Sequence, residues 1–187
     1  PTGAEPVNTL SASGSYSGKI RHMKIASGYG TGIFYGDFLK PVAAGTVEKD
    51  TGTATLTPIG VFVGCSYTDP TSQQLTFNQQ WPTGTVAADA MAYVVDDPDV
   101  VMQMQSDEAI AQTGLFNNVD VVQTAGSTAI GRSKNALNGG NIATTNTLPL
   151  RIVEFVDGPT STVGDAFTDC LVSFVPTMHR YRNILAT

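Results

Sequence analysis

Apolar positions along this chain recur at every second residue in short runs, and almost nowhere at the three-and-four spacing of an amphipathic helix. Val86–Val95 sets Val86, Ala88, Ala90, Ala92 and Val94 against Ala87, Asp89, Met91, Tyr93 and Val95, the pattern of a half-buried strand. Pro58 opens another run, in which Ile59, Val61, Val63, Cys65 and Tyr67 share one face at the strand period. Lys19–Ala26 alternates in part and Ile33–Leu39 is rich in aromatics. Leu75–Phe77, Val100–Gln105, Val119–Gln123, Leu148–Val156 and Asp169–Val175 read as further strands. Turn residues punctuate the series: Gly28–Gly32, Asp69-Pro70, Trp81-Pro82-Thr83-Gly84, Asp96-Asp97-Pro98-Asp99 and Gly158-Pro159. Thr46–Lys49 and Thr53–Thr57 are expected to pair as a hairpin turned at Asp50-Thr51-Gly52. The best helix candidate is Asp107–Gln112, a turn or two at most, with Ser106 as its cap and Gly114 after it.

Many short strands and almost no helix argue for a mainly β fold, an antiparallel β-sandwich or barrel. Residues 1–18 are small, polar and Pro/Gly/Ser-rich without a period, and read as a flexible, extended N-terminal arm that orders on a partner. Residues 19–187 read as a single β-rich domain, with a long surface loop or insertion over 124–147 and a short C-terminal tail. A chain of 187 residues and 19.6 kDa is expected to expose about 8,600 Å² folded, against roughly 28,000 Å² unfolded, so its core needs neither metal nor disulfide.

Charge changes the picture in one respect. Only 14% of residues are charged, below the roughly 25% of an average domain, and the net charge is −6. No Lys or Arg occurs from Asp50 to Gly131, whereas Asp50, Asp69, Asp89, Asp96, Asp97, Asp99, Asp107, Glu108 and Asp120 all lie there. The cations gather toward the ends: Lys19, Arg21, His22 and Lys24, then His179, Arg180 and Arg182. An acidic middle repels phosphates, which argues against a nucleic-acid partner. No apolar run approaches the ~20 residues of a membrane span and no signal peptide opens the chain, so synthesis in a cytoplasm is expected.

Candidate chemistry is sparse. Cys65 and Cys170 fit no CxxC pair or metal spacing; two buried thiols are expected, with a single disulfide as the alternative. Gly126–Ser133 nearly spells a phosphate-binding loop, but Arg132 replaces its lysine and the following residues are too Gly-rich for the helix such a loop needs. Asp50-Thr51-Gly52 spells the aspartic-protease triplet once, and a turn accounts for it. Asp96, Asp97 and Asp99 lack a calcium-loop spacing and read as an acidic turn. Gly28–Gly32 lacks the third glycine of a dinucleotide fingerprint, and His22 and His179 each sit beside basic residues, a poor context for a metal. No catalytic constellation, cofactor or metal site emerges.

The segments Ile33–Asp37, Pro58–Tyr67, Trp81–Thr85, Val94–Asp99 and Leu148–Ile152, in that order, span most of residues 20–175. Their succession resembles a family of virion structural proteins of tailed bacteriophages. The resemblance implies a capsid decoration (cement) protein on the capsid exterior, not an enzyme, made in the host cytoplasm. Its partner would be the major capsid protein, and symmetric shells favour self-association as a trimer or dimer. Lys19, Arg21 and Lys24, at the root of the arm, are the expected capsid-docking residues, and Trp81, Tyr67 and Phe62 the expected structural anchors. Two other readings stand beside it. One is a different virion part, such as a head fibre, tail or baseplate component. The other is a secreted carbohydrate-binding β-sandwich with Trp81 and the tyrosines as stacking platforms.

Overall fold

The computed structural model describes residues 1–11 and 16–183. In chain order its strands are β1 Glu5–Thr9, β2 Arg21–Lys24, β3 Ile33–Phe34, β4 Phe38–Pro41, β5 Val47–Lys49, β6 Gly60–Thr68 and β7 Leu75–Asn78. They continue with β8 Gln80–Trp81, β9 Met91–Val95, β10 Val100–Gln105, β11 Asn118–Val122, β12 Ala136–Ala143, β13 Leu150–Phe155 and β14 Asp169–Phe174. The fold is mainly β, with antiparallel sheets of short strands, as the alternation predicts.

One sheet has the order β1-β10-β14-β13-β11-β12. The other runs β2-β9-β6-β4-β5, with β7 added beside β6, and β3 and β8 form a separate pair. Both large sheets curl until distant strands touch. A parallel bridge from Ile25 to Val47 joins the β2 end of the second sheet to β5, and one from Ser106 to Leu137 joins β10 to β12 in the first. Strong right-handed twist and frequent bulges let such short strands close on themselves.

Two apolar clusters result. The barrel formed by the second sheet encloses Ile25, Ile33, Leu39, Phe62, Cys65, Tyr67, Trp81, Ala92 and Val94. Between its outer wall and the six-stranded sheet lie Phe38, Leu56, Val61 and Val95, packed on Met102, Met104, Leu137, Leu150, Ile152, Val172 and Phe174. Strand β6 therefore serves both cores, and it does so through a bulge. Its register against β9 slips between Phe62 and Gly64. Val61 and Val63 face the outer core while Phe62, Cys65 and Tyr67 face the barrel interior. The uniform face expected from Ile59 to Tyr67 is thus broken, because one inserted residue reverses the side-chain alternation.

Other expectations need correction. The hairpin is β4–β5, turned at Val42–Gly45 with Gly45 at φ 74°; Thr53–Thr57 is not a strand. Asp50 is the reason: its carboxylate accepts the N–H groups of Gly52 (3.0 Å) and Thr57 (2.8 Å), folding that segment back on itself. No α-helix forms at Asp107–Gln112. Ser106 bridges to Leu137 and donates its hydroxyl to the Glu108 carbonyl, while Asp107 accepts the Gly139 N–H at 3.0 Å. The first residues of the would-be helix are thereby committed to β12, and Ile110 N–H goes to the Thr168 hydroxyl at 3.0 Å, leaving a 3-10 turn at Gln112–Gly114. The stretch 124–147 is not all loop, since β12 occupies part of it despite its Asn-Gly-Gly-Asn composition. The alternation of Val86–Val95 becomes strand only from Met91, with Val86 and Ala88 exposed ahead of it and Ala88 in a turn.

The N-terminus differs most. Residues Glu5–Thr9 are not part of a detached arm: they form β1, paired with β10, and Ala4 is fully buried with its N–H donated to Gly36 O at 2.9 Å. Residues 12–15 lie outside the described residues. The C-terminal tail likewise packs down as far as Asn183, with His179 fully buried; residues 184–187 lie outside the described residues. The surface of 8709 Å² agrees with that expected for a folded chain of this size.

Candidate docking surface

Phe62, Tyr67 and Trp81, the expected anchors, all lie in the core of the barrel. Phe62 is wholly buried, and Trp81, 1% exposed, donates Nε1–H to Tyr29 O at 3.2 Å and meets Tyr67 edge-on at 5.4 Å. Buried in the barrel, Trp81 offers no stacking platform to a sugar. Cys65 and Cys170 are free thiols in different clusters, so the disulfide alternative fails. Burial pushes both thiols up to about 12, which suppresses the thiolate a nucleophile requires. The near phosphate-binding loop leads into β12 and not into a helix; Arg132 instead lies over the Tyr35 ring and faces Glu5 at 3.6 Å. Asp50, the aspartate of the protease-like triplet, is 3% exposed, with both carboxylate oxygens taken by backbone donors.

The charges segregated in sequence meet in space. Arg21 pairs with Asp96, which also accepts the Tyr181 hydroxyl at 2.7 Å. Arg182 reaches Asp99 at 2.8 Å, and the Thr9 hydroxyl lies 3.2 Å from Asp97. Segments near both ends of the chain thus close on the turn Asp96–Asp99, beside a cleft of about 350 Å³ that Lys19 also lines. Behind this cluster His179 packs against Phe174 and Tyr181. Burial, with help from Arg182, pushes its pKa down to about 4, so the ring is neutral near pH 7.

The three expected docking cations therefore divide. Arg21 is engaged by Asp96, Lys19 is exposed at the cleft, and Lys24 is exposed on β2. Strand register places Lys24 opposite Met91 of β9, Met91 opposite Ser66 of β6, and Ser66 opposite Phe77 of β7. Residues directly opposite share a face, so Phe77, Ser66, Met91 and Lys24 form one row on the outer wall of the barrel. Leu75 and Thr68 make the neighbouring row on one side. On the other side, Gly64, Tyr93 and His22 make a second, the last two with rings 4.5 Å apart. Leu75 is 60% exposed, Phe77 68% and Met91 36%. This is the same wall that carries Val61 and Val95, but here it runs past the six-stranded sheet and is left open.

Sequence reasoning identified Leu75–Phe77 as a strand without seeing this face. Which side of a short alternating strand is covered depends on where the sheet packed on the barrel stops, and no local pattern encodes that. No protein-family model, no curated protein and no solved structure matches this chain.

Proposed function

We propose that this protein is a structural component of a phage particle, a capsid decoration protein that adheres to the assembled head through the open wall of β7, β6, β9 and β2. The observation that carries the reading is the exposed row of Phe77, Met91 and Lys24 on a hydrogen-bonded barrel wall. An aromatic two-thirds exposed is an adhesive group, and clusters of such residues mark interaction sites. Because the strands hold it in place, little conformational entropy is lost on docking. Lys24 and His22 at one margin give a body of net charge −6 a basic edge with which to meet acidic groups of the major capsid protein. Self-association as a trimer or dimer on the shell would multiply a modest single contact into firm attachment.

The resemblance to tailed-phage virion proteins supports the same reading. The carbohydrate-binding alternative loses its main support, because Trp81 is inside the barrel. Of the expected docking cations this wall keeps Lys24, whereas Arg21 is paired within the chain, and β1 is built into a sheet.

The test is occupancy on purified heads prepared without this protein. Wild-type chain is expected to saturate them as seen by electron microscopy. Phe77→Asp and Lys24→Glu, with unchanged circular dichroism, are each expected to weaken binding by roughly tenfold or more, the equivalent of about 1.4 kcal/mol. Full occupancy by Phe77→Asp would remove this wall from the interface, and failure of the wild-type chain to bind heads would end the decoration reading.

A further inference from the structure

Beyond adhesion, and independently of it, the molecule carries a buried group of side chains with the makings of a chemical step. Asp37 precedes β4, Lys49 ends β5 and Asn135 precedes β12, so three separate segments bring them together. Lys49 Nζ lies 2.9 Å from Asp37 Oδ2, and Asn135 Nδ2 donates to Asp37 Oδ1 at 3.3 Å. One carboxylate thus bridges a primary amine and a primary amide. Asp37 and Asn135 are fully buried, and the Lys49 side chain is 9% exposed. Phe34 flanks the lysine, with its ring centroid 5.9 Å from Nζ.

From this geometry we infer that Lys49 and Asn135 become joined by an isopeptide bond, with Asp37 as the proton carrier. Two features favour that outcome over a merely structural ion pair. Burying a lysine–aspartate pair is a costly way to hold a fold together, since desolvation offsets most of the attraction. And the Asn135 side-chain amide is held as an electrophile: its Oδ1 accepts the Thr124 N–H at 3.1 Å, while the residue's backbone N–H, donated to Ser133 Oγ at 3.2 Å, fixes the main chain that carries it. A fixed backbone donor on the amide oxygen is placed to stabilise the negative charge that develops there under attack.

The step balances without an added reagent. A proton moves from Lys49 to Asp37, giving a neutral amine and a neutral acid, the form that a dry site tolerates best. The amine attacks Cγ of Asn135, and the oxyanion is held by Thr124 N–H. Two of the three Nζ protons pass by way of Asp37 to Nδ2. The Cγ–Nδ2 bond then breaks as the Nζ–Cγ bond is completed, ammonium departs, and the Asp37 carboxylate is regenerated. Joining Lys49 to Asp37 instead would consume the proton carrier. The new bond would tie β5 of the barrel to the first residue before β12 in the other sheet, a covalent clasp between the two halves.

Intact-mass spectrometry of the full chain, denatured and reduced, tests this directly. The wild-type protein is expected to be lighter than its sequence by one ammonia, with a branched proteolytic peptide linking Lys49 to Asn135. Lys49→Arg keeps a cation opposite Asp37 but removes the nucleophile, and is expected to show the full sequence mass; so is Asp37→Ala. A folded wild-type chain of full mass overturns the inference. So does loss of ammonia without the branched peptide, or loss of one water with Lys49 joined to Asp37.

Discussion

The outer wall of the barrel has two halves with the same construction and opposite surroundings. On one, Val61 and Val95 are covered by the six-stranded sheet, and Phe38 beside them is wholly buried with its ring edge-on to Phe174 at 5.9 Å. On the other, Met91 continues the same face of β9 and Phe77 extends it onto the neighbouring β7, with nothing described over them. The backbone does not distinguish the halves; only the extent of the sheet packed against the barrel does. Apolar residues in the first half stabilise the fold by burial, whereas those in the second are exposed. On the proposed reading, one sheet face carries two jobs in series.

The sharpest way to break that comparison is a pair of truncations. Phe38→Ala empties a filled site and is expected to cost about 3–5 kcal/mol, whereas Phe77→Ala is expected to stay within about 0.5 kcal/mol. Denaturant unfolding of both variants decides it; similar losses would mean that the open half is also structural. Next in size is a pH effect confined to the covered side. His179 has an ordinary value of 6.5 and a folded value of about 4, so the unfolded chain binds the extra proton between them. Its contribution is complete above pH 6.5 and is lost as the pH falls through 4, by up to about 3 kcal/mol. Burial is the main cause, Arg182 adds to it, and Asp96 and Asp97 oppose it weakly. His179→Gln should flatten stability across that window, and an unchanged slope would rule the histidine out. The smallest effect belongs to Arg21, whose side chain is half exposed. Arg21→Ala is expected to lower the melting temperature only slightly, and less in high salt, because Asp96 retains the Tyr181 hydroxyl.

Much of this fold was legible from residue pattern alone. The runs around β6, β9, β10, β11, β13 and β14 alternate, and Trp81 beside Pro82 announces an anchor. What could not be read follows from long-range competition. The bulge at Val63–Gly64 reverses the alternation of β6 and is specified by its register with Tyr93, thirty residues downstream by number. Asn-Gly-Gly-Asn reads as loop, yet β12 forms because β11 pairs with it, Asp107 accepts the Gly139 N–H and Ser106 bridges to Leu137. Charge gave a misleading hint of its own. Cations at the ends and acids in the middle are apart in sequence only, since the fold brings Arg21 to Asp96 and Arg182 to Asp99. Of the residues in the proposed docking wall, Lys24 was singled out in the sequence by its charge, whereas Phe77 and Met91 emerge only from strand register.

Sharing β6 between two cores has a thermodynamic corollary. A strand that is at once the inside of one compartment and the boundary of the next cannot be given up by one and kept by the other. Heat or mechanical load applied to either half must therefore be resisted by both, so the chain should behave as one cooperative unit, with calorimetric and van't Hoff enthalpies in agreement.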